Sequence, residues 1–324
     1  MHKLLVTGGC GFIGSHTCIS LLESGYKLVV LDSNINSTEK SLERLKEIKE
    51  LKKIDFNSKL KFIKGDIRDL SVLHKIFKDA LKNRDPIKGV IHFAGLKSVP
   101  RSMVNAIEYW DVNFAGSLSL IKVMQEHNCQ TIVFSSSAAI YSSTNQQPLN
   151  ESSFINPIST YGMTKLAVEN MLISLTQKKN NNWRIANLRY FNPIGAHSSG
   201  LIGESPIGRA NNIFPIILDV AVGKNQLFKI YGDEWPTPDG TGVRDYIHVV
   251  DLAEGHLKAL EYLQRNKSQI LNLNLGTGIG TSVLNLINSF ERVNNIKIPY
   301  AISPPREGDA SCVIADIKFA KRIL

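Results

Sequence analysis

The first half of the chain alternates short apolar runs with stretches of helical spacing. Residues 3–7 form an apolar run that stops at glycines, and 12–24 carry apolar positions at helical intervals. The run 28–31 ends at Asp32, and 60–63 is a third of the same kind. Leu70, Leu73, Ile76, Phe77 and Leu81 recur with a helical period and predict an amphipathic helix. Residues 90–93 and 131–134 predict buried strands with a helix over 115–126 between them, and 183–190 closes the series. Continuous apolar strands separated by helices imply a parallel sheet covered on both faces. Right-handed crossovers then make it a doubly wound α/β fold.

After Asn192 the pattern changes. Residues 193–242 are rich in Gly, Pro and Asn and read as loops around one apolar helix, 212–222. A strand-like run over 270–275 ends in Gly276 and Gly278, and a helix follows from Thr281. The expected organisation is a dinucleotide-binding Rossmann domain over 1–190 and a smaller mixed α/β substrate-binding domain over 191–324. The regular stretch 243–263 is expected to pack back on the first domain.

With 324 residues, 43% of them hydrophobic, the chain can bury a full core. No run reaches the roughly 18 to 20 apolar residues of a membrane helix, so a soluble cytoplasmic protein with no membrane partner is expected. The cysteines, Cys10, Cys18, Cys129 and Cys312, show no metal or redox spacing and read as reduced and structural. No metal is expected. The net charge of +9 owes much to the lysine-rich stretch 40–64, which reads as a solvated helix face. No nucleic-acid motif accompanies it, so the positive balance points at most to an acidic ligand such as a diphosphate.

The glycines Gly8, Gly11 and Gly14 follow the first strand and open a helix. In that context the first allows a tight turn, the second lets backbone approach a pyrophosphate, and the third lets helix and sheet pack closely. The helix N-terminus offers free N–H groups to the phosphates. Asp32 ends the second strand about 20 residues on, where an acid bonds a ribose 2′-hydroxyl and repels a 2′-phosphate. The expected cofactor is therefore NAD rather than NADP. Gly65-Asp66-Ile67 and Phe93-Ala94-Gly95-Leu96-Lys97 follow the third and fourth strands and face the same crevice. Asp66 fits a helix cap equally well.

Tyr161 and Lys165 stand four apart at the start of a helix, on one face. A free tyrosine has a pKa of about 10. An adjacent ammonium and an oxidised nicotinamide both favour the phenolate, which would lower that value and suit the phenol to general-base work. A Tyr–Lys pair alone is usually surface decoration; this one follows a dinucleotide fingerprint. Ser135-Ser136-Ser137 closes the strand 131–134, and a serine there either points into the ligand crevice or lies in a solvated turn.

Together these residues resemble the extended short-chain dehydrogenase/reductases. The longer strings HFAGLK (92–97), SSSA (135–138), RYFNPIGAH (189–197), DGTGVRDYIHV (239–249) and REGD (306–309) resemble the UDP-glucose 4-epimerases. The resemblance runs from residue 3 to about residue 320 and implies an NAD-dependent epimerase acting on C4 of a UDP-hexose. It implies that Tyr161 takes the 4-hydroxyl proton while the hydride goes to NAD, that Lys165 holds the nicotinamide ribose, and that Ser137 bonds the reacting oxygen. The 4-keto sugar then turns over and regains the hydride on its other face. The implied NAD contacts are Phe12, Ile13, Asp32, Ser33, Asn34, Ile35, Asn36, Ser37, Asp66, Ile67, Phe93 to Lys97 and Phe191. The implied UDP-sugar contacts are Asn192, Asn212, Tyr231, Arg244, Arg306 and Asp309. Two arginines can clamp a diphosphate bidentately. The family also implies a homodimer.

Some positions depart from the family. Thr160 replaces the usual Pro before the tyrosine, and Ser142 follows Tyr141 in place of Gly. The family pattern continues past residue 320, whereas this chain stops at Leu324; a truncation would affect the last domain edge rather than the active site. Where the family carries a bulky Tyr associated with rejecting N-acetylated sugars, this chain has Val313. A smaller side chain leaves room for an acetamido group, so the N-acetylated pair is an expected substrate; alternatively Val313 is an ordinary core residue and other walls exclude it. The nearest rival, a nucleotide-sugar dehydratase, needs an acid after the serine, where Ala138 and Ala139 stand. A non-catalytic NAD sensor on the same fold would not need Ser137, Tyr161 and Lys165 together.

Overall fold

The computed structural model describes residues 2–52, 58–177, 181–208, 210–306 and 308–324. The apolar runs become strands β1 (Lys3–Thr7), β2 (Lys27–Asp32), β3 (Leu60–Lys64), β4 (Ile87–His92), β5 (Thr131–Ser137) and β6 (Arg184–Tyr190). The C-terminal half adds β7 (Asn192–Ile194), β8 (Phe228–Tyr231), β9 (Val243–His248), β10 (Gln269–Leu275), β11 (Gly280–Ser282), β12 (Tyr300–Ser303) and β13 (Cys312–Val313). Seven of these strands form a parallel sheet in the order β10-β6-β5-β4-β1-β2-β3. The expected doubly wound α/β fold is therefore present, and its strand order reverses between β1 and β4.

The helices are α1 (Phe12–Glu23), α2 (Lys40–Lys52), α3 (Leu70–Lys82), α4 (Val99–Val104), α5 (Ala106–Tyr109), α6 (Gly116–Glu126), α7 (Thr160–Thr176), α8 (Ile213–Ala221), α9 (Val249–Arg265), α10 (Val283–Asn294) and α11 (Lys318–Ile323). Side chains alternate across each strand, so each sheet face gains its own core. Leu4, Val6, Leu28 and Val30 pack with Leu21 and Leu22 of α1 and with Leu257, Leu260 and Leu263 of α9. Leu5, Val29 and Leu31 face the other way, onto Ile76 and Phe77 of α3, Leu120 and Val123 of α6, and Leu172 of α7.

Several expectations are refined by the structure. In α3, Leu73, Ile76 and Phe77 are buried, but Leu81 is exposed because it lies past the buried stripe, in the last turn. The cap of that helix is Asp69, whose carboxylate accepts from the Ser71 and Val72 N–H groups, so Asp66 is freed from a capping role. The lysine-rich stretch contributes α2, which buries Leu42, Leu45 and Ile48; residues 53–57 of it lie outside the described residues. A π-helical segment, Trp110–Ala115, precedes α6. The serines 135–137 belong to β5 itself.

The C-terminal half divides more finely than the pattern implied. Helix α9 packs against α1, and Tyr26 donates to Gln264 at 3.0 Å. Strand β10, expected in the second domain, pairs in parallel with β6 and completes the large sheet. By contrast β9 joins β7, β11 and β13 in a small sheet, and β8 pairs with β12. These two small sheets flank the C-terminal ends of the large one.

Candidate active site

A crevice of about 290 Å³ opens at the C-terminal ends of the parallel strands, beside the reversal of strand order. Such a reversal draws the flanking loops apart and leaves a ligand site. Gly8, Gly11, Phe12, Ile13, Gly14, Asp32, Ser33, Ile35, Asn36, Asp66, Ile67, Phe93, Ala94, Gly95, Leu96, Lys97 and Phe191 all line it, together with Ser137, Tyr161 and Lys165. Asn34 and Ser37 are not on its wall. They stand beside Asp32: the Asn34 N–H and the Ser37 hydroxyl donate to its Oδ1 at 2.9 and 2.7 Å. The Cys10 N–H donates to Oδ2 at 2.9 Å. These bonds hold the carboxylate at the rim.

The cradle fits a dinucleotide on two counts. A Cβ on Gly14 would stand 2.3 Å from the Gly8 carbonyl oxygen, so only glycine lets α1 begin this close to the loop. The helix N-cap, Gly11, carries no side chain that could satisfy the first-turn N–H groups. Those groups and the helix dipole favour a phosphate. The carboxylate of Asp32 then suits a ribose hydroxyl and repels a 2′-phosphate. Asp66 is held by Arg68 through bonds of 3.0 and 2.6 Å, which pull its pKa below the ordinary carboxylate value.

The reacting groups lie on rigid elements. Ser159 caps α7 by accepting from the Gly162 N–H at 3.1 Å. A Cβ on Gly162 would lie 2.4 Å from the Ala139 carbonyl oxygen. The close approach brings Tyr161 to the end of β5, where it lines the crevice with Ser137. Alternation along β5 sends Ser135 and Ser137 to the crevice and Ser136 away from it, to Glu169.

Burial raises the pKa of Tyr161 above the ordinary value, and the Ser137 hydrogen bond pulls against it. The expected depression depends on the oxidised nicotinamide as well as on the ammonium. The Lys165 ammonium donates instead to the Ser135 carbonyl at 2.6 Å and sits 5.8 Å from the Tyr161 ring centroid. Burial lowers Lys165 itself to about 8, with Glu169 opposing that shift. Within the chain alone, desolvation outweighs the Ser137 hydroxyl.

A second cavity, of about 710 Å³, joins the crevice at Asn192, Pro193 and Asn212. Tyr231, Arg244, Arg306 and Asp309 line it, as expected for substrate contacts. The Arg306 guanidinium lies 4.6 Å from the Tyr231 ring centroid and donates to Asp309 at 2.8 Å. Arg244 on β9 lies 3.9 Å from the same carboxylate. Burial lowers the pKa of Arg244, with Asp309 the main opposing charge. A desolvated guanidinium gains from an incoming anion. Glu307 of the REGD string lies outside the described residues. Val313 lines neither cavity. It pairs with Arg244 along β13 and packs with Ile140, Tyr141, Leu149, Phe191 and Ala315.

The sequence reading missed a buried charge network under the crevice. Arg189 donates to Glu169 at 3.0 and 2.7 Å and to the Tyr141 hydroxyl at 3.0 Å, while Ser136 also bonds Glu169. Glu169 lies four residues after Lys165 on α7, a spacing that would have flagged it. Asn113, in the π-helical segment, accepts from the Leu96 N–H at 2.7 Å and donates to the Leu96 carbonyl at 3.1 Å, which fixes the 93–97 loop. No local signal marks that residue.

Comparison with known proteins agrees with this geometry. Residues 4–276 match the model of the NAD dependent epimerase/dehydratase family. The chain is 47% identical over 324 residues to a UDP-glucose 4-epimerase of Neisseria meningitidis serogroup B, covering 99% of this chain and 91% of that protein. The fold is similar to the crystal structure of a Stenotrophomonas maltophila UDP-glucose 4-epimerase with bound NAD and formylated UDP-arabinopyranose. That likeness has a TM-score of 0.93 at 41% identity and covers 100% of this chain and 92% of the other. A Bifidobacterium longum UDP-glucose 4-epimerase in complex with NAD+ and UDP gives a TM-score of 0.91 at 42% identity, covering 99% and 92%.

Proposed function

The chain belongs to the NAD dependent epimerase/dehydratase family, and from that premise we propose that it interconverts UDP-glucose and UDP-galactose by inverting C4 of the sugar through bound NAD. The observation that carries this reading is the contiguity of two cavities. One is a dinucleotide cradle containing Ser137, Tyr161 and Lys165; the other holds Arg244 and Arg306, and they meet at Asn192, Pro193 and Asn212. A diphosphate held by the two arginines would extend its sugar toward the Tyr161 phenol.

NAD in the cradle supplies the hydride acceptor and, while oxidised, a positive charge that favours the Tyr161 phenolate. Tyr161 takes the proton of the 4-hydroxyl and later returns it. Ser137 bonds the reacting oxygen and steadies the phenol. Lys165 holds the nicotinamide ribose and adds cationic charge near the phenolate. The 4-keto sugar turns over in the pocket before the hydride returns, so the cofactor is restored within each turnover. Purified protein given UDP-galactose and no added NAD should therefore form UDP-glucose; conversion only when NAD is supplied in solution would overturn the reading. Ala138 and Ala139 occupy the turn after β5 where elimination would need an acid, so a dehydratase is not favoured.

Finer assignments follow from particular residues. Val99, Met103, Val104 and Ile107 are exposed on α4 and α5, which pack beside α7, where Met163 is exposed as well. This contiguous apolar face suits a second copy of the chain, giving a homodimer that sedimentation velocity would detect. No described helix is long and apolar enough to cross a membrane. The four cysteines are free, which suits the reducing cytoplasm. Val313 shares an apolar cluster with Phe191, which lines the crevice, and its small side chain would let that wall yield to an acetamido group. Turnover of UDP-N-acetylgalactosamine tests that assignment, and its absence beside good UDP-galactose turnover would end it.

A further inference from the structure

We propose that Glu204 is a positioning residue that ties the cofactor crevice to the substrate pocket. The proposal rests on the reading above, in which Lys97 is an NAD contact and Asn212 a UDP-sugar contact. Glu204 lies in the loop between β7 and α8, and its side chain is only 7% exposed. Its Oε1 accepts from the Lys97 ammonium at 2.9 Å and also from the Asn212 amide. Its Oε2 is buried and has no hydrogen-bond partner among the described residues. One carboxylate oxygen thus joins a cation after β4 to an amide at the start of α8.

The choice made by Asn212 supports this role. Asparagine at a helix N-cap ordinarily accepts from the first-turn N–H groups. Asn212 holds that position in α8, yet its side chain makes no capping bond. Its Nδ2 is committed to Glu204 instead, which fixes which end of the amide faces the ligand. Asn212 borders both the crevice and the arginine pocket, so that orientation matters where the two meet. On the other side, a lysine carries three N–H donors. The bond to Glu204 uses one and leaves two for the cofactor. The loop itself is anchored, because Leu201 and Ile202 pack into the core beside Ile13.

The test is a double-mutant cycle on the full-length protein with Glu204→Ala, Asn212→Ala and both, alongside Glu204→Gln. We measure kcat and KM for UDP-galactose and the NAD that remains bound after gel filtration. Glu204→Ala should raise KM about tenfold while kcat changes less than about threefold, and it should lose part of its NAD. Glu204→Gln keeps an acceptor oxygen and should recover most of the KM. The double variant should be no worse in KM than Asn212→Ala, since both changes remove the same Glu204–Asn212 contact. Effects that multiply, a loss confined to kcat, or a Glu204→Ala protein equal to wild type would each overturn the proposal. If Glu204→Ala does not fold, the same cycle run with Glu204→Asp, whose shorter side chain cannot reach both donors, decides by the same coupling. Wild type that neither retains NAD nor converts UDP-galactose would instead sink the functional reading beneath it.

Discussion

The cofactor crevice and the substrate pocket are built on different principles. The crevice is made from strand ends of one parallel sheet and from two helix starts, so its groups sit on elements with cores on both sides. The pocket is assembled from pieces spread between Asn192 and Asp309, on small sheets and loops. Its ion pair Arg306–Asp309 is half in solvent, with the arginine side chain 52% exposed, whereas Arg189–Glu169 under the crevice is 2% and 1% exposed. Chemistry is placed where the fold is stiff, and recognition where charges can meet a mobile ligand. Substitutions in the crevice should therefore act on turnover or stability, and those in the pocket on KM.

The largest test of that division is Tyr161→Phe. Removing the proton-transferring hydroxyl should cost about 10²- to 10⁴-fold in kcat while bound NAD and KM change little. Loss of NAD along with turnover would mean that the phenol is structural. Next, Glu169→Ala leaves the Arg189 guanidinium buried and unpaired, which should cost about 3 to 5 kcal/mol in urea unfolding. Arg306→Ala should leave stability nearly unchanged, and equal losses in the two variants would erase the distinction.

Acid should also act on the sheet side. Burial pulls His16 down to about 4, His92 to about 3 and His256 to about 4, and all three pack around the parallel sheet. Between pH 6.5 and 4 the unfolded chain binds protons at these positions and the folded chain does not. Stability therefore falls as pH drops through that window. A thermal midpoint that stays flat from pH 7 to 4.5 would contradict it. Smaller still, Arg244→Ala or Arg306→Ala should raise KM for UDP-galactose about 10- to 100-fold by removing a charge-assisted bond to the diphosphate, with kcat changed little. Least of all, Val313→Tyr should leave UDP-galactose turnover nearly unchanged and suppress only the N-acetylated substrate.

The same division governs what the sequence makes legible. β1, β2, β4 and β5 announce themselves because they are buried on both faces and read as apolar runs, whereas the edge strand β3 leaves Lys61 and Lys64 exposed; Gly8, Gly11 and Gly14 mark the cradle by spacing alone. Tyr161 and Lys165 are legible because they share one helical face. The membership of β10 in the large sheet is not, because parallel pairing with β6 depends on a crossover from far along the chain. Asn113 and Glu204 carry no local pattern; each acquires meaning only from a partner distant in sequence. The burial that raises the Tyr161 pKa is not legible either, because spacing shows the nearby lysine and hides depth.

The central claim is that a hydride leaves C4 and returns to it within one closed site at Tyr161. UDP-galactose deuterated at C4, incubated with the purified protein in ordinary water without added NAD, tests it directly. The account predicts UDP-glucose that keeps the deuterium at C4, with no label in solvent and no reduced cofactor released. Deuterium washed out to water, or product formed only as free reduced cofactor accumulates, would contradict it.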